Sequence, residues 1–443
     1  MGVQEVSYQR QERYSGRRTR GWDRDRGVDG RALVFVERTR WRVPMGRRGS
    51  KARRGEREEY VALFRGIELV RRGVFRVSDV RRLYVNFEAV LLPRYRTMGV
   101  WGTRERKVRA SYRLFRYTMV GSVFRLRGLM YMTKSRGTTD RRRRNRVGRE
   151  EVGDEGVKRR RWRGRFRTCG VKLPMVPVHV WLPEAHVEAT TGGSVILAGV
   201  LLKVGTYARR RRVRQRRPEE TEYFKPRVYA RAVMGRIYTA RTARRQGDMK
   251  RVVAYASVSH MNRMRVGRRG NSEQGLRGSV RQMCSHGVVS GAMFRSVGVR
   301  YDRYHTRLVG YYGGRARGMP RYATRRLRRT RGNMGRPGTS AFVGEWRIRV
   351  GRAQSNYRVR RRGASGLVLG GAYSLWRYNR VVYGNRKRTY APNVERGDRK
   401  CMEARIRVPM TRRMRRVGRY PAEVVNVVET PLRERRAKMG REG

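Results

Sequence analysis

Two lysines, Lys172 and Lys203, bracket the stretch KLPMVPVHVWLPEAHVEATTGGSVILAGVLLK, which holds His179, His186 and three prolines among apolar and small residues. Burying a lysine is costly, so one flanked by Val, Leu and Gly either snorkels its ammonium to water or carries function. Pro174, Pro177 and Pro183 break any helix that runs through them and free backbone groups that must then line a polar cavity. A broken helix beside buried ionisable groups is an arrangement used by ion and proton carriers. The order HVWLPEAH does not give the i, i+4 spacing of a zinc helix, so His179 and His186 read as structural or cavity-lining groups. Cys169, Cys284 and Cys401 are few, odd in number and without metal spacing, which indicates neither a disulfide framework nor a zinc site.

Other ionisable residues recur in apolar contexts, and each has an ordinary reading. Glu88, in NFEAVLLP, suits a helix-end carboxylate paired with a nearby arginine, and Lys203 a helix-end cap. Glu345, in AFVGEW after the Pro337-Gly338 break, suits a first-turn carboxylate that complements a helix dipole. His260 in SVSHM and His286 in CSHGVVS suit hydrogen-bonded core histidines, although histidine also shuttles protons readily at neutral pH. His305, in YDRYHTR near Arg303, reads as a loop residue. Met and aromatic residues read as packing. No P-loop is present, nor a GxGxxG placed between a strand and a helix.

Several long motifs stand in a telling order. They are NFEAVLLP (86–93), GVWGTRERKVRASYRLFRYTMVGSVF (99–124), the Lys172 stretch, DMKRVVAYASVSHM (248–261), MCSHGVVSGAMF (283–294), YDRYHTRLVGYYGG (301–314), PGTSAFVGE (337–345) and GAYSLWRYNRVVYGN (371–385). In this order they resemble the antiporter-like, proton-translocating membrane subunits of respiratory complex I, the NADH dehydrogenase subunit 4 family. The likeness covers roughly residues 84 to 386, with a weak echo at Tyr420 and Pro421.

The resemblance implies an all-α, polytopic transmembrane bundle of about 14 helices, with two inverted five-helix repeats. The broken segments around Lys172 and around 335–345 would be the symmetry-related pair. It divides the chain into poorly matched N-terminal helices (1–80), an antiporter-like proton-translocating core (81–386) and C-terminal helices with a tail (387–443). Residues carried over for proton transfer are Glu88, Lys172, Lys203, His260, His286 and Glu345. Glu88 would hold Lys172 charged and let its proton leave when the pair separates. Lys203 and the two histidines would pass protons on, and Glu345 would release them. No cofactor is expected on this chain; NADH, FMN, iron–sulfur clusters and ubiquinone would belong to other subunits. Expected partners are neighbouring antiporter-like membrane-arm subunits and the lipid bilayer, with no nucleic acid. The implied location is the mitochondrial inner membrane, or a bacterial plasma membrane. Residues 1–30 show no signal-peptide pattern, as expected of a subunit inserted through its own helices.

Composition argues almost the opposite. The 443-residue chain has a formal net charge of +78, with 112 basic residues of which eleven are lysine and 101 arginine. Its pI is about 11.8 and its mean hydropathy -0.81. A spanning helix needs about 20 predominantly apolar residues, yet the longest runs without Asp, Glu, Lys or Arg, 189–202 and 363–376, are 14 residues each. Arg161, Arg163, Arg165 and Arg167 alternate ahead of Lys172 and spread around most of a helix, so no single polar face hides them. At about 2.5–3.5 kcal/mol per arginine at a helix centre, these four alone cost roughly 10–14 kcal/mol of insertion. Arg325, Arg326, Arg328, Arg329 and Arg331 repeat the conflict ahead of PGTSAFVGE, and Glu150 to Arg165 reads as an extramembrane loop leading into the next helix.

Three explanations fit the conflict: arginine codons that are edited or read differently in the organism, an altered or degenerate chain, or a soluble protein that kept intramembrane motifs. The first is favoured, although reassigning one codon does not account for every position. Read literally, so much charge suits a nucleic-acid binder. Against that, the arginines run the whole length of the chain and interrupt apolar segments instead of forming one patch or tail. A free cation/proton antiporter is the other alternative to a complex I subunit.

Overall fold

The computed structural model describes residues 57–77, 79–136, 139, 155–205, 222–269, 272–353 and 357–385. The expected C-terminal helices, Cys401, the Tyr420–Pro421 echo and the start of the expected loop at 150–154 lie outside the described residues. Those described are mostly helical, with a lone antiparallel bridge between Asp248 and Leu308. In chain order the helices are α1 (Arg57–Arg76), α2 (Val80–Ala89), α3 (Leu91–Gly99), α4 (Lys107–Arg136), α5 (Glu155–Lys172), α6 (Trp181–Glu188) and α7 (Thr191–Ile196). They continue with α8 (Lys225–Arg245), α9 (Met249–Arg269), α10 (Glu273–Tyr304), α11 (Pro320–Met334), α12 (Phe342–Ala353) and α13 (Tyr357–Val382). A one-turn helix, Arg315–Gly318, precedes α11.

Local sequence accounts for the punctuation. Asp79 caps α2 by accepting from the amides of Arg81 and Arg82, and Ser272 caps α10 by accepting from Gly275. Proline stands in the first turn of α8 and of α11, where its missing N–H costs nothing. Gly335, at φ +71, ends α11 in the left-handed region that glycine enters without strain. His305 takes the same conformation (φ 52) just beyond α10, exposed as expected of a loop residue.

Helix α5 corrects one expectation. The segment read as a loop up to Arg165 is helical from Glu155 onward. Arginine is a good helix former, so its alternation disfavours insertion into lipid without disfavouring the helix itself. One face of α5 packs through Trp162, whose ring stacks on Phe166 and on Phe224 of the turn before α8, while Arg163 and Arg167 are exposed.

Helices α4 and α10, of 30 and 32 residues, reach about 45 and 48 Å at about 1.5 Å per residue, more than the roughly 30 Å hydrocarbon layer. Even so, no described helix is both long and apolar enough to cross a membrane. The cause is charge within otherwise suitable segments. Pairs α4–α5, α8–α9, α9–α10, α10–α12 and α8–α13 pack side by side. The largest apolar cluster joins Leu173, Trp181, Leu182, Leu197 and Val200 to Met261, Met264 and Met283, so the broken segment after Lys172 lies in the core, against α9 and α10.

Candidate functional site

Two helix breaks frame the site. At the first, α5 stops at Lys172, and residues 173–180 turn before α6 begins. The backbone groups freed there are met from several sides. The Trp181 indole donates to the Val171 carbonyl (3.0 Å), and Met175 N donates to the Gly170 carbonyl (3.1 Å). The Arg265 guanidinium of α9 donates to the carbonyls of Cys169 and Leu173. At the second break α11 ends on Gly335, and the chain turns through 336–341 into α12. The Arg336 amide donates back to the Arg331 carbonyl (3.3 Å), and the Ser285 and Ser340 hydroxyls meet at 2.8 Å.

Beside the first break, Lys172 Nζ donates to Glu88 Oε2 at 2.8 Å. The same oxygen accepts from the Ser122 hydroxyl at 2.6 Å, whereas Glu88 Oε1 is buried without a hydrogen-bond partner. The Lys172 ammonium lies over the Phe87 ring at 5.0 Å, and Arg125 lies over the same ring at 4.6 Å. Three helices (α2, α4 and α5) thus build one half-buried ion pair.

A second group continues toward the other break. A π-helical turn, Leu197–Leu201, widens the helix just before Lys203, and Lys203 Nζ reaches back to the Ala198 carbonyl at 2.5 Å. The same ammonium is 2.7 Å from His286 Nδ1 on α10. The rings of His286 and His260 lie 5.2 Å apart. His260 Nε2 is 3.2 Å from Asn333 Oδ1, and its Nδ1 is 3.8 Å from Glu345 Oε1. Glu345 is 1% exposed, accepts from Gln282 Nε2 at 3.2 Å and is ion-paired with Arg263. Gly335 makes room for it, since a Cβ there would fall 2.6 Å from Glu345 Oε2.

Of the six residues singled out in the sequence, Lys203, His286, His260 and Glu345 therefore form one string, and Glu88 with Lys172 forms a separate pair. The segments that carry the two groups are neighbours: the Lys172 carbonyl lies against Gly205, two residues beyond Lys203. His186 is fully buried, stacked on Phe294 at 4.3 Å with neither ring nitrogen hydrogen-bonded, and His179 makes a 3.2 Å bond to the Pro177 carbonyl. Both are packed within the fold, one of the two roles their sequence left open.

The sequence reading missed Gln282 and Asn333, the polar neighbours of Glu345 and His260. Gln282 stands four residues before His286 on α10, a spacing that puts both on one face and was available as a signal. It also missed a cap on α6. Lys250 Nζ donates to the carbonyls of Val187 (3.3 Å) and Ala189 (2.5 Å), and Arg307 donates to Val187 (2.6 Å) and to the Thr103 hydroxyl (2.5 Å). Two cations thereby close the C-terminal end of the helix that follows the first break, where the helix dipole is negative. Lys250→Met should cost about 1.5–3 kcal/mol, the worth of charged hydrogen bonds, read as a lower unfolding midpoint of the purified assembly.

With this geometry in view, the comparisons with known proteins are decisive. Residues 77–358, more than half of the chain, match the family of transmembrane subunits of NADH:quinone oxidoreductases and Mrp antiporters. The chain belongs to this family. It is 42% identical over 410 residues to NADH-ubiquinone oxidoreductase chain 4 of Marchantia polymorpha, covering 92% of this chain and 81% of that one. NADH-quinone oxidoreductase subunit M of Rhodobacter capsulatus is 36% identical over 417 residues, covering 91% and 80%. The fold superposes on a chain of Thermus thermophilus respiratory complex I with TM-score 0.80 at 24% identity, covering 90% and 83%. A chain of the Mrp complex from Dietzia gives 0.79 at 15% identity, covering 90% and 81%. The architecture is that of the antiporter-like, polytopic membrane subunits, with both helix breaks in place.

Proposed function

We propose that this chain is a membrane-arm subunit of NADH:ubiquinone oxidoreductase in the mitochondrial inner membrane, where it moves protons across the bilayer through buried Glu, Lys and His side chains. The observation that carries this reading is the string Lys203–His286–His260–Glu345, which runs from the π-helical turn to the second helix break with Glu88–Lys172 at the first. Quinone reduction elsewhere in the complex supplies the driving force. It shifts charge along the membrane arm and so changes how tightly Glu88 holds Lys172. With Glu88 close, Lys172 keeps its proton; with Glu88 withdrawn, the bare ammonium in a dry site gives its proton up. Lys203 and the histidines relay it, since a lysine and a neutral imidazole 2.7 Å apart are within proton-transfer reach. Glu345, at the first turn of α12, is the terminal carboxylate. We assign this machinery to residues 81–386. NADH, FMN, iron–sulfur and ubiquinone chemistry belong to other subunits, and neighbouring antiporter-like subunits flank this one.

Neither alternative gains support. Charge in a nucleic-acid binder gathers on an accessible surface, but fifteen arginines here are buried inside the helical bundle among the described residues. A free antiporter would share the fold, while the relatives near 42% identity over nine-tenths of this chain are complex I chain 4 proteins. Fractionation tests the reading. The chain should stay with membranes through a high-salt wash, need detergent for release, and co-purify with a very large NADH-oxidising assembly. Release by salt alone would contradict membrane integration, and recovery as a small free complex would favour the antiporter.

A further inference from the structure

The buried charge does not balance. Among the described residues, fifteen arginines are buried against four buried carboxylates, those of Asp79, Glu188, Asp248 and Glu345. A guanidinium carries five N–H donors, and taking it out of water is tolerable only when those donors and its charge are met. The arginines differ sharply by that standard.

Arg300 and Arg326 both direct their guanidinium groups at the thioether of Met249, at 3.4 Å and 3.9 Å; Arg326 also hydrogen-bonds Tyr322, and neither has an ion pair among the described residues. A thioether is a weak acceptor, and two cations share it. Arg300 Nε and Nη2 are buried without hydrogen-bond partners, between the rings of Tyr312 and Tyr322. Arg94 spends one bond on the Gly193 carbonyl (3.3 Å) and leaves Nε and Nη2 unmet. Arg236 reaches only the Gly363 carbonyl; the guanidinium of Arg352 lies against the same glycine, so like charges converge there. Arg377 reaches two carbonyls and leaves Nε and Nη1 unmet. Arg263 has a carboxylate partner, but that partner is Glu345, the terminal group of the relay, which a permanent cation would hold ionised and closed to protons.

Arg307 is the contrast. It is equally buried, yet one terminal nitrogen donates to the Val187 carbonyl and the other to Thr103, and the group stacks on Tyr301 at 4.2 Å.

We infer that the mature polypeptide carries neutral, leucine-class aliphatic residues at positions 94, 236, 263, 300, 326 and 377, and a genuine arginine at 307, so that decoding or editing of the message distinguishes two kinds of arginine codon. Composition agrees: leucine, ordinarily among the commonest residues, occurs 21 times against 101 arginines. Aliphatic groups at these six positions would extend the apolar interior that α8–α11 and α13 already supply. They would also lengthen the uncharged runs toward what a spanning helix requires. At position 263 a neutral residue removes the nearest cation from Glu345 and leaves it with Gln282, His260 and the more distant, partly exposed Arg349 at 3.9 Å. The inference rests on the membrane function proposed above.

Tandem mass spectrometry of the chain, purified in detergent with its complex from the native organism and digested separately with trypsin and chymotrypsin, tests it. Expected are cleavage by trypsin after Arg307, no tryptic cleavage at positions 300 or 326, and fragment masses lower than the arginine values at all six positions. Transcript sequencing then tells how it arises: an altered message indicates editing, an unaltered one a reassigned codon, and either supports the inference. Arginine masses at 263, 300 and 326 in the membrane-extracted chain would overturn it while leaving membrane residence in the complex standing. A neutral residue at 307 would overturn the structural sorting. Should the chain instead be absent from any membrane assembly, it is the functional reading that fails.

Discussion

Glu88→Gln is expected to abolish most of the NADH-driven proton pumping that depends on this subunit, with Lys172→Met producing a comparable loss. The reason is the strength of the pair they form. At an effective dielectric near 20, opposite charges about 4 Å apart attract by roughly 4 kcal/mol, and Lys172 and Glu88 are closer, at 2.8 Å. Glutamine keeps the size of the side chain and its bond to Ser122 but removes the charge that gives the pair its leverage. Quenching of a pH-sensitive dye in inside-out membrane vesicles measures the effect, and we expect a drop of at least about tenfold in this subunit's contribution. Glu59→Gln is the control: Glu59 pairs with Arg96 at the surface, where such a pair is worth little, and pumping should be unchanged. Undiminished pumping in Glu88→Gln would remove the proposed switch.

A loss of similar size is expected from Glu345→Gln, at the opposite end of the string. This carboxylate is nearly inaccessible, and it gathers Gln282 and His260 around it where α10, α9 and α12 meet. Glutamine fits the space beside Gly335 but cannot accept and release a proton. In the proposed relay the two carboxylates act in series, so their effects should not add. The double variant Glu88→Gln/Glu345→Gln should pump no worse than the more severe single variant, since a relay cut once is already cut. Additive losses would point to two parallel routes.

The sequence revealed some of this and concealed the rest for physical reasons. The break after Lys172 was legible because three prolines forbid a continuous helix, and the second because Pro337 and Gly338 follow Gly335 closely. Which residues face one another was not legible from spacing. His260 and Glu345 lie 85 positions apart and meet only because α9 and α12 both pack with α10. The Lys250–Arg307 cap was hidden for the same reason: its two cations come from separate elements and converge on carbonyls of α6, and backbone acceptors leave no mark in a sequence. Helix α5 shows the converse error. The segment up to Arg165 reads as a loop yet is helical from Glu155, because arginines oppose insertion into lipid and not helix formation.

Protons delivered per NADH oxidised, measured in membrane vesicles carrying His286→Leu, test the continuous relay most directly. His286 stands between Lys203 and His260, and leucine fills its volume without a nitrogen to receive or pass a proton. The ratio should fall by this subunit's share. An unchanged ratio, with the variant present in the assembled complex, would contradict it.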